Sequence, residues 1–110
     1  MINIEKIEAV VKAAPSQEEK LRIIANTYGP ERQIRKLMEE CGELVAAAAK
    51  HDPDDCNTTD HLAEEMADVR IMIKQVEYLL DIQEAVQEYI DEKTDRQIRR
   101  MREAGMIKEP

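Results

Sequence analysis

Two long segments in the middle of the chain carry its clearest pattern of hydrophobic and polar positions. Apolar side chains recur every three or four residues from 31 to 50, and from 58 to 80 they keep an unbroken 4-3-4-3-4 spacing. A repeat of about 3.6 residues places such positions on one face of an α-helix. The pattern predicts two amphipathic helices. Their predicted core positions are Ile34, Leu37, Met38, Cys41, Leu44, Val45 and Ala48, and Leu62, Met66, Val69, Ile73, Val76 and Leu80.

Shorter apolar patterns flank these two helices. Residues 2–13 show helical spacing, and so does the stretch from Ser16 to Tyr28, where Ser16 followed by Glu19 is a capping-box sequence. A last helix is predicted from about 82 to 103. Four or five helices are therefore expected, with no segment that favours a strand.

The composition agrees with an all-α fold. Hydrophobic residues make up 43% of the 110 positions, yet there is no Trp or Phe, and glycine occurs three times. A core of aliphatic side chains with few turn residues is typical of a helical bundle. The length favours one domain over residues 1–110, with a loose tail at about 104–110.

The charge and the cysteines narrow the function. A formal net charge of −8 argues against nucleic acid or an anionic membrane as a partner, because both attract positive surfaces. Cys41 and Cys56 form no CxxC motif, and neither a membrane-spanning stretch nor a secretory signal is recognisable. A cytoplasmic protein is expected.

Acidic residues occur in matching pairs on the two central helices. Glu40 precedes Glu43 by three positions, as Glu65 precedes Asp68, and residues three apart stand one turn apart on a similar face. Two facing helices could thus bring four carboxylates together, which would repel one another without a cation. Oxygen-only ligands suit Mg²⁺, or Mn²⁺ as an alternative, and we expect such a site here.

The two pairs differ in their surroundings. Glu65 and Asp68 fall among apolar positions of their helix, where an unpartnered carboxylate is costly. Glu40 lies roughly 105° around its helix from the centre of the apolar stripe. A residue on an ordinary solvated face would lie there too, so periodicity alone does not make Glu40 a ligand. The small residues Gly42 and 46–49 on that side would let a second helix approach closely.

Other metal sites fit the sequence less well. His51, Cys56 and His61 have no familiar zinc spacing, and the polar turn that starts at Asp52 lacks the glycine and glutamate of an EF-hand. A ferritin-like di-iron site would require Glu-x-x-His pairs, which are absent.

The last helix begins with an apolar stripe that turns basic at Lys93 and Arg96. Either this end of the helix leaves the core and its charges are solvated, or the two cations reach phosphate groups held at the acidic site.

The doubled acid Glu39-Glu40, then Glu43, then Glu65 and Asp68 after 21 intervening residues, resembles the signature of the all-α nucleoside triphosphate pyrophosphohydrolases, the MazG-like superfamily. The resemblance covers residues 31–80. It implies a helical bundle completed as a homodimer or homotetramer, Mg²⁺ as cofactor, and hydrolysis of a nucleoside triphosphate to the monophosphate and pyrophosphate.

The resemblance also implies roles for single residues. The metal ligands would be Glu40, Glu43, Glu65 and Asp68. Glu39 would orient the attacking water, Lys93 and Arg96 would contact phosphates, and Gln33 is a candidate contact to the base. Two alternatives have the same helices but no catalytic activity. One is an acidic interaction module, and the other is a nucleotide sensor of the same fold.

Overall fold

The computed structural model describes residues 15–108, in which all regular secondary structure is helical. Four helices follow one another: α1 (Gln17–Tyr28), α2 (Pro30–Ala49), α3 (Cys56–Leu80) and α4 (Gln83–Glu103). The all-α prediction is confirmed. Helices α1 to α3 belong to one compact unit that ends at Leu80, and α4 belongs to a second that begins at Asp81. The helix predicted over 2–13 lies outside the described residues.

Helix α1 begins as the capping sequence predicts. The Ser16 hydroxyl accepts a hydrogen bond of 3.1 Å from the main-chain N–H of Glu19, which satisfies one of the free donors at the helix start. The helix ends at Gly29, whose φ of 86° suits a residue without a Cβ atom. Pro30 then opens α2, so that a single residue separates the two helices.

Helices α2 and α3 pack against each other in antiparallel orientation, because Gln33 contacts Gln75 while Glu43 lies beside Glu65. The residues of α2 with the lowest exposure are Gln33, Glu40 and Ala47, spaced seven apart. Two turns of helix separate each from the next. Polar side chains thus occupy two of the three most buried positions on this helix.

The predicted core stripe of α2 is wrong in part. Met38 and Val45 are 70% and 69% exposed, and Ile34 is exposed as well, whereas Leu37 and Leu44 are half-buried. The face that packs within the unit is rotated toward Gln33 and Glu40, which a hydrophobic pattern does not count as core. The small side chain of Ala47 is buried in the same face, as the small-residue argument anticipates.

Helix α3 shows the same feature. Its buried residues are Glu65, Val69, Met72, Gln75 and Val76. The predicted positions Val69 and Val76 are confirmed, but Met66, Ile73 and Leu80 are exposed. The helix starts at Cys56, two residues before the predicted segment from 58 to 80, because the Asp55 carboxylate accepts a 3.0 Å hydrogen bond from the Asn57 N–H.

Helix α1 is tied to α3 by polar contacts. The Asn26 amide donates to the Tyr78 hydroxyl at 2.9 Å, and the Arg22 guanidinium lies over the Tyr78 ring, 5.3 Å from its centroid. Helix α1 packs on α2 as well. The three helices line a common cleft, which Glu40 and Asp68 also line.

Helix α4 closes in a left-handed turn at Gly105, which has a φ of 71°. The Met106 N–H donates to the Met101 carbonyl at 2.9 Å, as in a glycine-dependent helix end. No helix among residues 15–108 combines the length and the apolar character needed to cross a membrane.

Candidate metal centre

The four predicted ligands come together between α2 and α3. Glu40, Glu43, Glu65 and Asp68 each offer one carboxylate oxygen, and these oxygens all lie within 4.8 Å of one another. Each helix contributes one pair at i and i+3, since that spacing places both side chains on adjacent turns of one face. We call these four residues the carboxylate cluster.

Two members of the cluster are buried. Glu40 is 8% exposed and Glu65 is 7% exposed, while Asp68 is half-buried and Glu43 is exposed. One oxygen of each buried carboxylate, Oε2, is inaccessible and has no hydrogen-bond partner among the described residues. A buried polar atom without a partner is costly and calls for an explanation. The cluster is thus exposed at Glu43, whereas the buried oxygens of Glu40 and Glu65 lack a hydrogen-bond donor among the described residues.

Among residues 15–108, one ammonium group lies against the cluster. Lys36 Nζ is 3.4 Å from a Glu40 oxygen and 3.5 Å from a Glu39 oxygen. Burial raises the pKa of Glu40 above its ordinary value, the Lys36 ammonium opposes this, and the carboxylates of Glu43 and Asp68 raise the pKa further. The hydrogen bond to Glu40 and the charge of Glu39 raise the pKa of Lys36.

The negative charge of Glu65 has a weaker positive partner than that of Glu40. The nearest cationic candidate is His61, whose Nε2 lies 3.9 Å from a Glu65 oxygen and which is charged only when protonated. In the part of the chain that the structure describes, the four clustered carboxylates therefore have one lysine and one imidazole as nearby cationic candidates.

This donor set fits a hard divalent cation. All four donors are carboxylate oxygens, which Mg²⁺ and Mn²⁺ prefer, and the two unpartnered oxygens would gain a charge partner from such an ion. By contrast, His51 Nε2 is 3.0 Å from the Thr59 hydroxyl, and no zinc-type group of histidine and cysteine forms among residues 15–108.

A cleft of about 580 Å³ adjoins the carboxylate cluster within the first unit. Glu40 and Asp68 belong to both the cluster and the cleft wall. This volume lies in the range of small-molecule sites, roughly 300–1,000 Å³. The remaining lining residues are Ile24, Tyr28, Arg32, Gln33, Arg35, Lys36, Glu39, Ile71, Met72 and Gln75.

The other predicted site residues are placed as follows. Glu39 lines the cleft, with its side chain 59% exposed, and Gln33 lies in the cleft wall and donates a 2.7 Å hydrogen bond to Gln75. Lys93 and Arg96 are on α4, in the second unit. Their contact with phosphate stays a prediction.

Sequence reasoning missed Lys36 and Gln75. Lys36 could have been found, because it precedes Glu40 by four positions on a predicted helix and such pairs interact. Gln75 could not have been found from periodicity, since a glutamine on a helix is usually solvated. Its partner Gln33 lies 42 positions away, on another helix.

The fold and the site define an all-α protein whose buried carboxylates suit a divalent cation. The family model of the MazG nucleotide pyrophosphohydrolase domain matches residues 28–101, which is more than half of the chain. The chain belongs to this family, and the resemblance seen in its acidic motif is confirmed. Comparisons with curated proteins and with solved structures gave no significant match.

Proposed function

We propose that this protein is a Mg²⁺-dependent nucleoside triphosphate pyrophosphohydrolase, which converts a ribo- or deoxyribonucleoside triphosphate and water to the monophosphate and pyrophosphate. Family membership supports the reaction class. The observation that carries the proposal is the carboxylate cluster, with two buried oxygens that have no partner among the described residues. A role in removing unwanted nucleotides from the cellular pool would suit this reaction.

The residues of the first unit divide the work by their chemistry. Glu40, Glu43, Glu65 and Asp68 would hold the ion. When bound, Mg²⁺ supplies positive charge against the triphosphate and lowers the pKa of a coordinated water. Glu39 is exposed beside the cluster, with one oxygen 3.5 Å from Lys36 Nζ, and its carboxylate can accept a hydrogen bond from the attacking water and orient it.

The substrate would be held at two further places. Lys93 and Arg96 would neutralise charge on the departing pyrophosphate, since lysine provides a point charge and arginine a two-pronged donor. Gln33 would contact the base from the cleft wall. A homodimer or homotetramer is proposed as well, because Met38 and Val45 are exposed apolar residues of α2 among the residues that the structure describes.

The test is pyrophosphate release from a panel of ribo- and deoxyribonucleoside triphosphates, with Mg²⁺ and with EDTA. Release from one or more of them is expected with Mg²⁺ only. The variant Asp68→Asn should lose at least about a hundredfold of the rate, because it removes an ion ligand and changes to groups around such ligands already cost 10–100-fold. Its helicity should be unchanged.

Glu64→Gln is the matched control, because Glu64 is an exposed acid beside Glu65 on the same helix. It should retain the wild-type rate. Release that persists in EDTA, or an Asp68→Asn protein as active as Glu64→Gln, would refute the proposed site. A folded wild type that binds triphosphates without any release would instead be a nucleotide sensor.

A further inference from the structure

The wall of the cleft contains a pair of buried amides, Gln33 and Gln75, which are 4% and 2% exposed. The Gln33 Nε2 donates to the Gln75 Oε1 at 2.7 Å. We call these two residues the amide pair. Both line the cleft that also reaches Glu40 and Asp68.

The orientation of the amide pair is set by the main chain of α3. The Gln75 Nε2 donates to the carbonyl oxygen of Ile71 at 3.3 Å and lies 3.7 Å from the Met72 sulfur. A carbonyl oxygen only accepts, so the nitrogen of Gln75 must point toward it. The Gln75 oxygen therefore faces Gln33, and the Gln33 nitrogen must donate the hydrogen bond between them.

This chain of contacts fixes what Gln33 can offer to a ligand. One N–H of its amide is used in the bond to Gln75, and that bond leaves the amide oxygen and the second N–H. An acceptor next to a donor matches a flat ligand edge that carries a donor next to an acceptor. The hydrogen-bonding edges of the nucleobases have this form.

The rest of the cleft suits a flat ring. Ile24, Ile71 and Met72 supply apolar surface, and Tyr28 carries the Arg32 guanidinium over its ring, 4.6 Å from the centroid. Stacked aromatic and guanidinium groups are the surfaces on which bases stack. The ring would lie beside the amide pair, with Glu40 and Asp68 on the side where phosphates are expected.

We infer that this cleft binds the nucleobase of the substrate, that Gln33 reads its hydrogen-bonding edge, and that Gln75 is a positioning residue which holds the Gln33 amide in one orientation. This inference rests on the proposed function, because the base is assigned to a nucleotide. It requires a base that presents a hydrogen-bond donor to Gln33.

The experiment is calorimetric titration of the whole chain with nucleoside monophosphates in Mg²⁺, which are products and cannot be hydrolysed further. Each is compared with an analogue that lacks the donor: AMP with purine riboside monophosphate, CMP with 2-pyrimidinone riboside monophosphate, UMP with its N3-methyl form and GMP with its N1,N2,N2-trimethyl form. The donor-free partner of whichever base binds should bind about five- to a hundredfold more weakly, since a buried acceptor loses its partner.

Variants distinguish recognition of the base by the amide pair from a purely structural role of these two residues. Gln33→Met should bind both members of the ligand pair equally. Gln75→Met should weaken the preference severalfold, because the Gln33 amide is then free to turn, whereas Gln75→Glu keeps an acceptor toward Gln33 and should keep the preference. A purely structural role of Gln75 would change both affinities alike. Gln87→Met, at an exposed glutamine on α4, is the control and should match the wild type.

The ligand comparison on the wild type needs no variant to fold. Equal binding of the paired ligands, or no binding of any monophosphate, would overturn the inference. A base preference without triphosphate hydrolysis would leave the inference standing and refute the proposed enzyme. Hydrolysis without any donor dependence would do the reverse.

Discussion

The contact between α2 and α3 contains two buried polar groups, the amide pair and the carboxylate cluster, that begin only seven residues apart on α2, at Gln33 and Glu40. In the amide pair a donor meets an acceptor at 2.7 Å. The carboxylate cluster contains acceptors alone, and two of its buried oxygens have no partner among the described residues. Each group therefore has two buried members, and the balance of donors and acceptors differs.

This difference separates a polar contact that the chain completes by itself from one that needs a ligand. A satisfied amide pair costs little to bury and fixes the register of two helices. A group of like charges destabilises the folded chain until a cation joins it. Three measurements of stability test this distinction.

The largest effect is expected from the ion itself. Mg²⁺ at about 100 times its dissociation constant should raise the free energy of unfolding by about 2.7 kcal/mol, because it binds the folded chain. Urea denaturation with Mg²⁺ and with EDTA measures the increment. Asp68→Asn should lose most of it and Gln75→Met should keep it. If both variants kept the full increment, the cluster would not be the ion site.

The next effect concerns the amide pair. Gln75→Met leaves the buried Gln33 amide without its acceptor and should cost about 1–3 kcal/mol of unfolding free energy, with or without Mg²⁺. Replacing both glutamines by Met removes donor and acceptor together and should restore most of the loss. A double variant that is less stable than the single one would show that the glutamines act independently.

The smallest effect is the pH dependence of Glu40. Because its pKa is raised in the folded chain, folding without metal favours the protonated carboxyl. That contribution to stability is fully present below the unfolded pKa, about 4.5, and is lost as pH rises through the folded pKa. Glu40→Gln stays neutral, so in EDTA it should be more stable than the wild type at neutral pH and nearly equal at pH 4.

With Mg²⁺ at neutral pH the wild type should be the more stable of the two proteins, because Glu40→Gln lacks one of the carboxylates that would bind the ion. Thermal denaturation at both pH values, with EDTA and with Mg²⁺, gives the comparison. A Glu40→Gln protein that is less stable than the wild type in EDTA at neutral pH would mean that the Lys36 ammonium already outweighs the burial of this carboxylate.

Much of the fold could be predicted from the sequence. The helix that follows Ser16 depends on a capping sequence within a short stretch, and the last helix could be predicted from the apolar spacing at its start. The four acids could be predicted as one group because their spacing matches on successive helices. Within each acidic pair, as at the helix cap, the residues concerned are only a few positions apart in the sequence.

The orientation of α2 could not be predicted in the same way. Hydrophobic periodicity assigns Met38 and Val45 to the core, yet they are exposed, while Gln33 and Glu40 are buried. The periodicity measures which side chains avoid water. It cannot record a polar residue that is buried because a partner from another helix, or a ligand, meets it.

The bond from Gln75 to the Ile71 carbonyl has a consequence for how this site can change over generations. A main-chain carbonyl is present whatever residue stands at position 71, so no substitution there reverses its polarity. Mutation can remove the amide pair or replace one member. It cannot exchange donor and acceptor between the two glutamines while both remain. A lineage that came to prefer a base with the opposite edge would have to replace Gln33 or Gln75, and the four carboxylates could meanwhile stay as they are.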